Sequence, residues 1–294
     1  MKKLFMQTAS YSFSLLMVLL LATASSEAAE CEKLTRLRFS LVPQNDVQKD
    51  LALLQPLFDS LQTSLGMPVE VVMPSSYGAV VEGLLAGSVD LARLGPAAYV
   101  SAKKQDAGIT AFATVARKLP GQGGEDTSYR SILLVRNDSS YKTLLSLRGK
   151  KVALVDPDST SGALIPRHVF SRVIKVPLDK YFGQVVYSGA HDLSMSNLSK
   201  GRVDAIFISS VSLAVAVENG SFKHEDFRTL WQSQAIPRNP FVLRSRLCAD
   251  TRKKIIGVFL DHGGNANTSL MQGLSVTRFV PVSDQDYQIV RDLP

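Results

Sequence analysis

The chain has 294 residues, 45% hydrophobic and 20% charged, and a net charge of +7. That is enough apolar material for a sizeable core or for two ordinary domains, and it excludes a disordered tail or a coiled coil. The cationic residues are dispersed, with no Lys/Arg run and no interleaved aromatics, so the positive excess suits a small anion and not nucleic acid.

Lys2 and Lys3 precede an apolar stretch over 11–22 that is too short for a membrane span, and small residues follow as far as Ala29. Ser26-Glu27-Ala28 fits a small-x-small cleavage site, so 1–28 reads as the signal peptide of an exported protein. Cys31 invites lipidation at the cleavage point, but Glu30 stands where that chemistry needs a very small residue. The second cysteine is Cys248. An even count in an exported chain permits one disulfide, Cys31–Cys248, and two free thiols are the alternative.

Residues 37–42 form the first predicted strand. Residues 45–65 form a helix with Leu51, Leu54, Leu57 and Leu61 at spacings of three and four. Strands at 69–73, 89–94 and 111–115 alternate with helices at 77–86 and from Pro96, where a missing N–H costs little. Pro120, Gly121, Gly123 and Gly124 mark 119–126 as an exposed loop. A strand at 131–135 leads to Asn137-Asp138-Ser139-Ser140, a polar break that suits a crossover between lobes.

Strands at 151–155, 184–187 and 203–208 then alternate with helices at 160–173, 191–199 and 212–217. Strands at 229–233 and 241–244 flank Ile236-Pro237-Arg238-Asn239-Pro240, a second crossover. A helix at 247–261 returns to the first lobe, and 279–294 includes a short helix. This rhythm predicts an α/β fold of two lobes, each a mainly parallel sheet flanked by helices. The lobes are 29–136 plus 240–294, and 137–239, with the ligand in the cleft between them.

Three segments carry chemistry. Asp156-Pro157-Asp158-Ser159-Thr160-Ser161-Gly162 lies between an apolar strand and an amphipathic helix. Unpaired N–H groups, the helix dipole and the hydroxyls of Ser159, Thr160 and Ser161 would make an anion socket without formal charge. The plainer reading is an N-cap made by one hydroxyl. Gly162 permits close approach of a ligand or backbone, and Pro166 should kink the helix or shift its start. Tyr187-Ser188-Gly189-Ala190-His191-Asp192 follows another apolar strand, which puts His191 at a helix start on the same sheet edge. Pro74-Ser75-Ser76-Tyr77-Gly78 precedes a first-lobe helix, so Tyr77 is a donor candidate from across the cleft, with Tyr129 near the crossover as another.

Together these segments resemble the phosphate/phosphonate/phosphite substrate-binding proteins of ABC transporters. Asp156–Gly162 with Pro166-Arg167 is similar to that family's D-P-x-S-T-S-G-x-L-x-P-x signature, and Ser188–Asp192 to its S-G-x-H-D element. Ser76-Tyr77 before Val81-Glu82-Gly83-Leu84, then Leu94-Gly95-Pro96 and Ile236-Pro237-x-x-Pro240, fall in the family's order. The resemblance implies a type II periplasmic binding fold that closes on a tetrahedral oxyanion. It also implies ligand contacts at Tyr77, Tyr129, Ser159, Thr160, Ser161 and His191. Members that bind aminophosphonates hold the amine with two carboxylates. Here no acid stands near Ser210 or Val211, and Asn239 occupies the other position, which disfavours an amine-bearing ligand.

The expected partners are a small oxyanion and an ABC permease, with the protein itself a monomer. A sensor that presents the same ligand to a membrane kinase or receptor is the alternative. An enzyme is not expected. Ser159 or Ser161 with His191 and Asp192 makes a triad only on paper, because an adjacent Asp rarely orients its neighbouring His ring. G-x-S-x-G and H-E-x-x-H are missing, and four histidines and two cysteines supply a metal poorly, so neither metal nor cofactor is expected.

Overall fold

A computed structural model describes residues 31–118, 124–260 and 268–293. The expected signal peptide, 1–28, lies outside the described residues, as do 119–123 of the expected loop.

The chain enters β1 (Leu37–Leu41), whose alternate residues Leu37, Phe39 and Leu41 are buried. Asp46 caps α1 (Val47–Leu65), accepting from the N–H groups of Gln48 at 3.1 Å and Lys49 at 3.2 Å. Gly66 ends the helix at φ +66°, a left-handed position that a Cβ would strain. Then follow β2 (Val69–Val71), α2 (Tyr77–Ala86), β3 (Leu91–Arg93), α3 (Pro96–Gln105) and β4 (Thr110–Lys118). β1 pairs in parallel with β2 and with β3. β5 (Glu125–Asp126) pairs back onto β4, so part of the expected loop is a strand.

The chain next runs through β6 (Ser128–Tyr129) into β7 (Ser131–Arg136), a strand of a second, five-stranded sheet. That sheet takes β8 (Lys151–Leu154), β9 (Gln184–Tyr187), β10 (Ala205–Ser209) and β11 (Phe227–Gln232), in the order β11-β7-β10-β8-β9. Its helices include α4 (Ser171–Ile174), α5 (Leu178–Tyr181), α6 (His191–Ser199) and α7 (Ser210–Glu218). The chain returns through β12 (Ile236–Pro237) to β13 (Phe241–Leu243), α8 (Ala249–Leu260), α9 (Thr268–Gly273), β14 (Arg278–Pro281) and α10 (Gln288–Arg291). β13 inserts between β3 and β4, antiparallel to both, and β14 closes the seven-stranded sheet against β4.

The fold is thus the two-lobed α/β class, with two corrections. The sheets are mixed, not mainly parallel, because in each one a strand arriving from a crossing is inserted antiparallel: β13 in the first, β7 in the second. The first crossing also lies earlier than Asn137. β7 belongs to the second sheet, and the polar break at 137–140 is a turn at its end. The two crossing segments pair with each other, Tyr129 against Ile236 and Ser128 against Pro237, and Arg238 N donates to Thr127 O at 2.9 Å. The hinge is therefore a short antiparallel ribbon.

Each lobe buries its own aromatic cluster. In the first, Phe241, Phe259 and Phe279 meet with centroids 4.7–5.7 Å apart. In the second, Phe170 packs on Phe207 at 5.0 Å and Trp231 at 5.2 Å. Such pairs contribute about 0.5–1.5 kcal/mol each beyond area burial. A further cluster draws from both lobes, with Val80 and Tyr99 on one side and Met195 and Ile208 on the other. Near the start of the described chain Glu32 bridges to Leu247, and its N–H donates to Arg246 O at 2.7 Å. Neither cysteine is free.

Candidate functional site

The lobes face each other through loops at the C-terminal ends of same-sense strands, where ligand crevices form in open α/β sheets. Ser159 caps the helix after β8: its Oγ accepts from Gly162 N at 3.1 Å. The helix opens with two wide turns, Thr160–Leu164 and Pro166–Phe170, in place of the regular helix expected over 160–173. Leu164 N reaches back to Ser159 O at 2.9 Å. The cause lies in Pro166. It has no N–H to give to Gly162 O four residues back. Val155 N takes that carbonyl instead, at 3.1 Å, and ties the helix start to the end of β8. Gly162 is needed for this packing: a Cβ there would stand 2.5 Å from Val155. Its close approach is to the strand, and no ligand has to be invoked.

Tyr77 opens α2 behind the Ser76 cap, whose Oγ accepts from Ala79 N at 3.1 Å. His191 opens α6, and its N–H donates across the cleft to Gln44 O at 2.8 Å. Thr160 Oγ1 accepts from Ala97 N at 2.8 Å, again lobe to lobe, and keeps its own proton to give. A third cross-lobe contact pairs Arg117 with Glu218.

The seven candidate residues Tyr77, Tyr129, Ser159, Thr160, Ser161, His191 and Asn239 are all buried, none more than 8% exposed. Three of them bury polar atoms that have no hydrogen-bond partner among the described residues: Tyr77 Oη, His191 Nε2 and Asn239 Nδ2. Burial pushes the Tyr77 phenol far above its usual range, while the nearby Ser159 and Gln44 side chains act against that rise. Burial pushes Tyr129 up to about 12, with Thr160 and Ser161 acting the other way. Both phenols therefore stay protonated donors.

Burial likewise pushes His191 down to about 3, so the ring is neutral. Its Nδ1 accepts from Ser209 N at 3.3 Å. The backbone N–H can only donate, which puts the ring proton on Nε2, the orphaned atom. This geometry also removes the paper triad. The one lone pair of His191 is engaged by Ser209, and Asp192 Oδ1 accepts from Leu193 N at 2.8 Å. What the cluster offers is a set of neutral donors from both lobes, built around a helix start.

A cavity of about 100 Å³ adjoins this cluster, and Tyr129, Ser209, Asn239 and Gln44 line it. Its charged walls are Arg93, Arg117, Arg238 and Asp50, none of which is marked as a site residue by the sequence alone. Asp50 is the one acid of the cavity wall among the described residues; burial pushes its carboxyl up, and Arg93 acts against that rise. Arg93 was discoverable, since it ends an apolar strand at the crevice side. Gln44, in the loop after the first strand, had the same positional signal.

Residues 39–287 match the family described as ABC transporter, phosphonate, periplasmic substrate-binding protein. The phosphate-import protein PhnD of Mycolicibacterium smegmatis is 30% identical over 298 residues, covering 93% of this chain and 91% of that protein. The phosphonates-binding periplasmic protein of Escherichia coli is 26% identical, covering 97% of this chain and 83% of its own length. The crystal structure of a phosphonate-transporter binding protein from Pseudomonas aeruginosa superposes with a TM-score of 0.79 at 21% identity, covering 88% of this chain and 85% of that one.

Proposed function

Because the chain belongs to the periplasmic phosphonate substrate-binding proteins of ABC transporters, we propose that it is exported with cleavage after Ala28 and closes on a phosphorus oxyanion lacking an amine. The family binds and delivers substrates and does not turn them over, so the chain is a binding protein and not an enzyme. Among the described residues no helix is long and apolar enough to cross a membrane.

One observation carries the ligand assignment. Tyr77, His191 and Asn239 come from different elements on both sides of the cleft, and each buries a polar atom with no partner among the described residues: Tyr77 by Ser159, His191 by Ser209, and Asn239 on the cavity wall that Ser209 and Tyr129 share. Leaving such a group unpaired costs roughly 1–3 kcal/mol, so a fold keeps three of them together where something binds. The proposed sequence of events is capture on the Ser159–Ser161 helix start, followed by closure that brings Tyr77 onto the same guest. Phosphonate, phosphite and phosphate all present the oxygens this cluster asks for. An ammonium group is disfavoured because an amide stands at Asn239 and three arginines share the cavity with Asp50.

The test is a calorimetric titration of the mature chain with methylphosphonate, phosphite, phosphate, sulfate and 2-aminoethylphosphonate. At least one phosphorus oxyanion should bind at micromolar Kd or tighter, about −8 kcal/mol. The aminophosphonate should bind at least tenfold more weakly than methylphosphonate. Failure of every phosphorus oxyanion to bind would overturn the assignment.

A further inference from the structure

We propose that the guest carries a second acid group, a carboxylate one or two carbons from phosphorus, and that Arg93 and Arg238 hold it in the cavity beside the hydroxyl cluster. The inference rests on the reading above, in which the hydroxyl cluster takes the phosphoryl oxygens.

The cavity's charges are unevenly engaged. Arg117 is paired with Glu218. Arg93 and Arg238 form no ion pair among the described residues, and the Nε of each is buried without a hydrogen-bond partner. Arg238 is only 6% exposed. Its burial, with repulsion from Arg117 and Arg93, pulls the guanidinium down to about 10 even though Asp126 acts the other way. Burying a guanidinium nitrogen without a partner is unfavourable, and Asp50 on the same wall offsets the burial of Arg93 only in part, so an anion relieves what is left. The planar fork of Arg matches a carboxylate in two parallel hydrogen bonds. The Nδ2 of Asn239, also orphaned, adds a neutral donor on the same wall.

Size narrows the class. About 100 Å³ lies well below the roughly 300–1,000 Å³ of drug-sized pockets. It accommodates a carboxylate with a methylene or two. Tyr129 lines the cavity and also stands beside Thr160 and Ser161, so the cavity and the hydroxyl cluster meet at this one ring. Phosphonocarboxylates such as phosphonoacetate and 3-phosphonopropionate bridge them.

The experiment is a titration of the mature wild-type chain with phosphonoacetate, methylphosphonate, 2-hydroxyethylphosphonate and 2-aminoethylphosphonate. It is repeated on Arg93→Gln and Arg238→Gln, with circular dichroism to check that each variant folds. Phosphonoacetate should bind about tenfold to a hundredfold tighter than methylphosphonate or its neutral hydroxyl analogue. That ratio should fall toward one in either variant. If methylphosphonate binds but phosphonoacetate gains nothing, the second-acid proposal is wrong while the oxyanion reading stands. If the aminophosphonate is the tightest, Asp50 governs the cavity and the proposal is again wrong. If wild-type affinities follow the proposal but either variant loses methylphosphonate as severely as phosphonoacetate, the arginines hold the phosphoryl group itself. Should no ligand bind the wild type, the oxyanion reading fails with it. The wild-type series decides the case even if a variant does not fold.

Discussion

Two regions of the molecule bury polar groups in opposite ways. At Asp90, in the first lobe, the carboxylate is fully buried and fully engaged. It accepts from Arg38 N and Nε at 2.8 Å, from Arg38 Nη2 at 2.8 Å and from Arg244 Nε at 2.7 Å. Arg244 Nη2 stands 2.8 Å from Glu32, an ion contact that falls short of hydrogen-bond geometry. This knot fastens β1, the start of β3 and the residue after β13, and it asks for no ligand. In the cleft, by contrast, Tyr77, His191, Asn239 and Arg238 each bury a polar atom with no partner. Buried polarity that is closed on itself holds a fold together. Buried polarity left open is stability given up at a place where a guest can restore it.

Substitutions should separate the two kinds of region. The largest effect is expected at the closed one. Asp90→Ala strands two guanidinium groups and should destabilise the protein by about 3–5 kcal/mol in denaturant unfolding, with the folded fraction binding as before. In the open region the sign should reverse. Tyr77→Phe removes an unpaired hydroxyl, so the ligand-free protein should gain roughly 1–3 kcal/mol of stability while losing ten- to a hundredfold in affinity. An unchanged affinity would remove Tyr77 from the site, and a destabilised apo protein would show its hydroxyl to be satisfied after all.

A pH series sharpens the same contrast. His191 is pushed from 6.5 to about 3 by burial. The unfolded chain therefore takes up a proton below pH 6.5 that the folded chain refuses. Stability is full above pH 6.5 and falls as the pH drops toward 3, by about 2 kcal/mol at pH 5. His191→Asn should flatten that slope in thermal melts taken between pH 4 and 7. The smallest effect belongs to the rim. Glu218 is 45% exposed where it pairs with the buried Arg117 across the lobes, so solvent reaches the carboxylate side of the contact and can stand in for part of it, which leaves the pair weaker than the Asp90 knot. Glu218→Gln should weaken binding no more than about fivefold, through a less populated closed form, and small-angle scattering should report a slightly larger ligand-free particle.

Much of the candidate cluster was legible because its signals are local. Hydroxyls between an apolar strand and a helix, a Ser-Tyr helix start and a His after a Gly-Ala turn each read from a handful of neighbours. The arginines were not legible in that way. Arg93, Arg117 and Arg238 lie on two strands and a hinge, and only the long-range pairing that inserts β13 between β3 and β4 brings them to one cavity. The hinge was misplaced for a related reason. Polarity drew the boundary to Asn137, whereas sheet pairing, a long-range property, assigns β7 to the second lobe. At Pro166 the break in helix geometry was foreseeable from the missing N–H. The answer to it, a carbonyl handed to Val155, required knowing which strand end lay beneath.

The ribbon formed by β6 and β12 has a mechanical implication. Tyr129 sits in it, and Arg238 and Asn239 follow directly after it. On the proposed reading, the pivot about which the lobes swing is thus built partly from side chains that line the cavity. Occupancy and bending angle then become a single variable: anchoring a molecule immobilises the axle, and rotating the axle strips away two of its walls. A permease that pries the lobes apart would loosen the cargo from within, in the same movement that opens its exit.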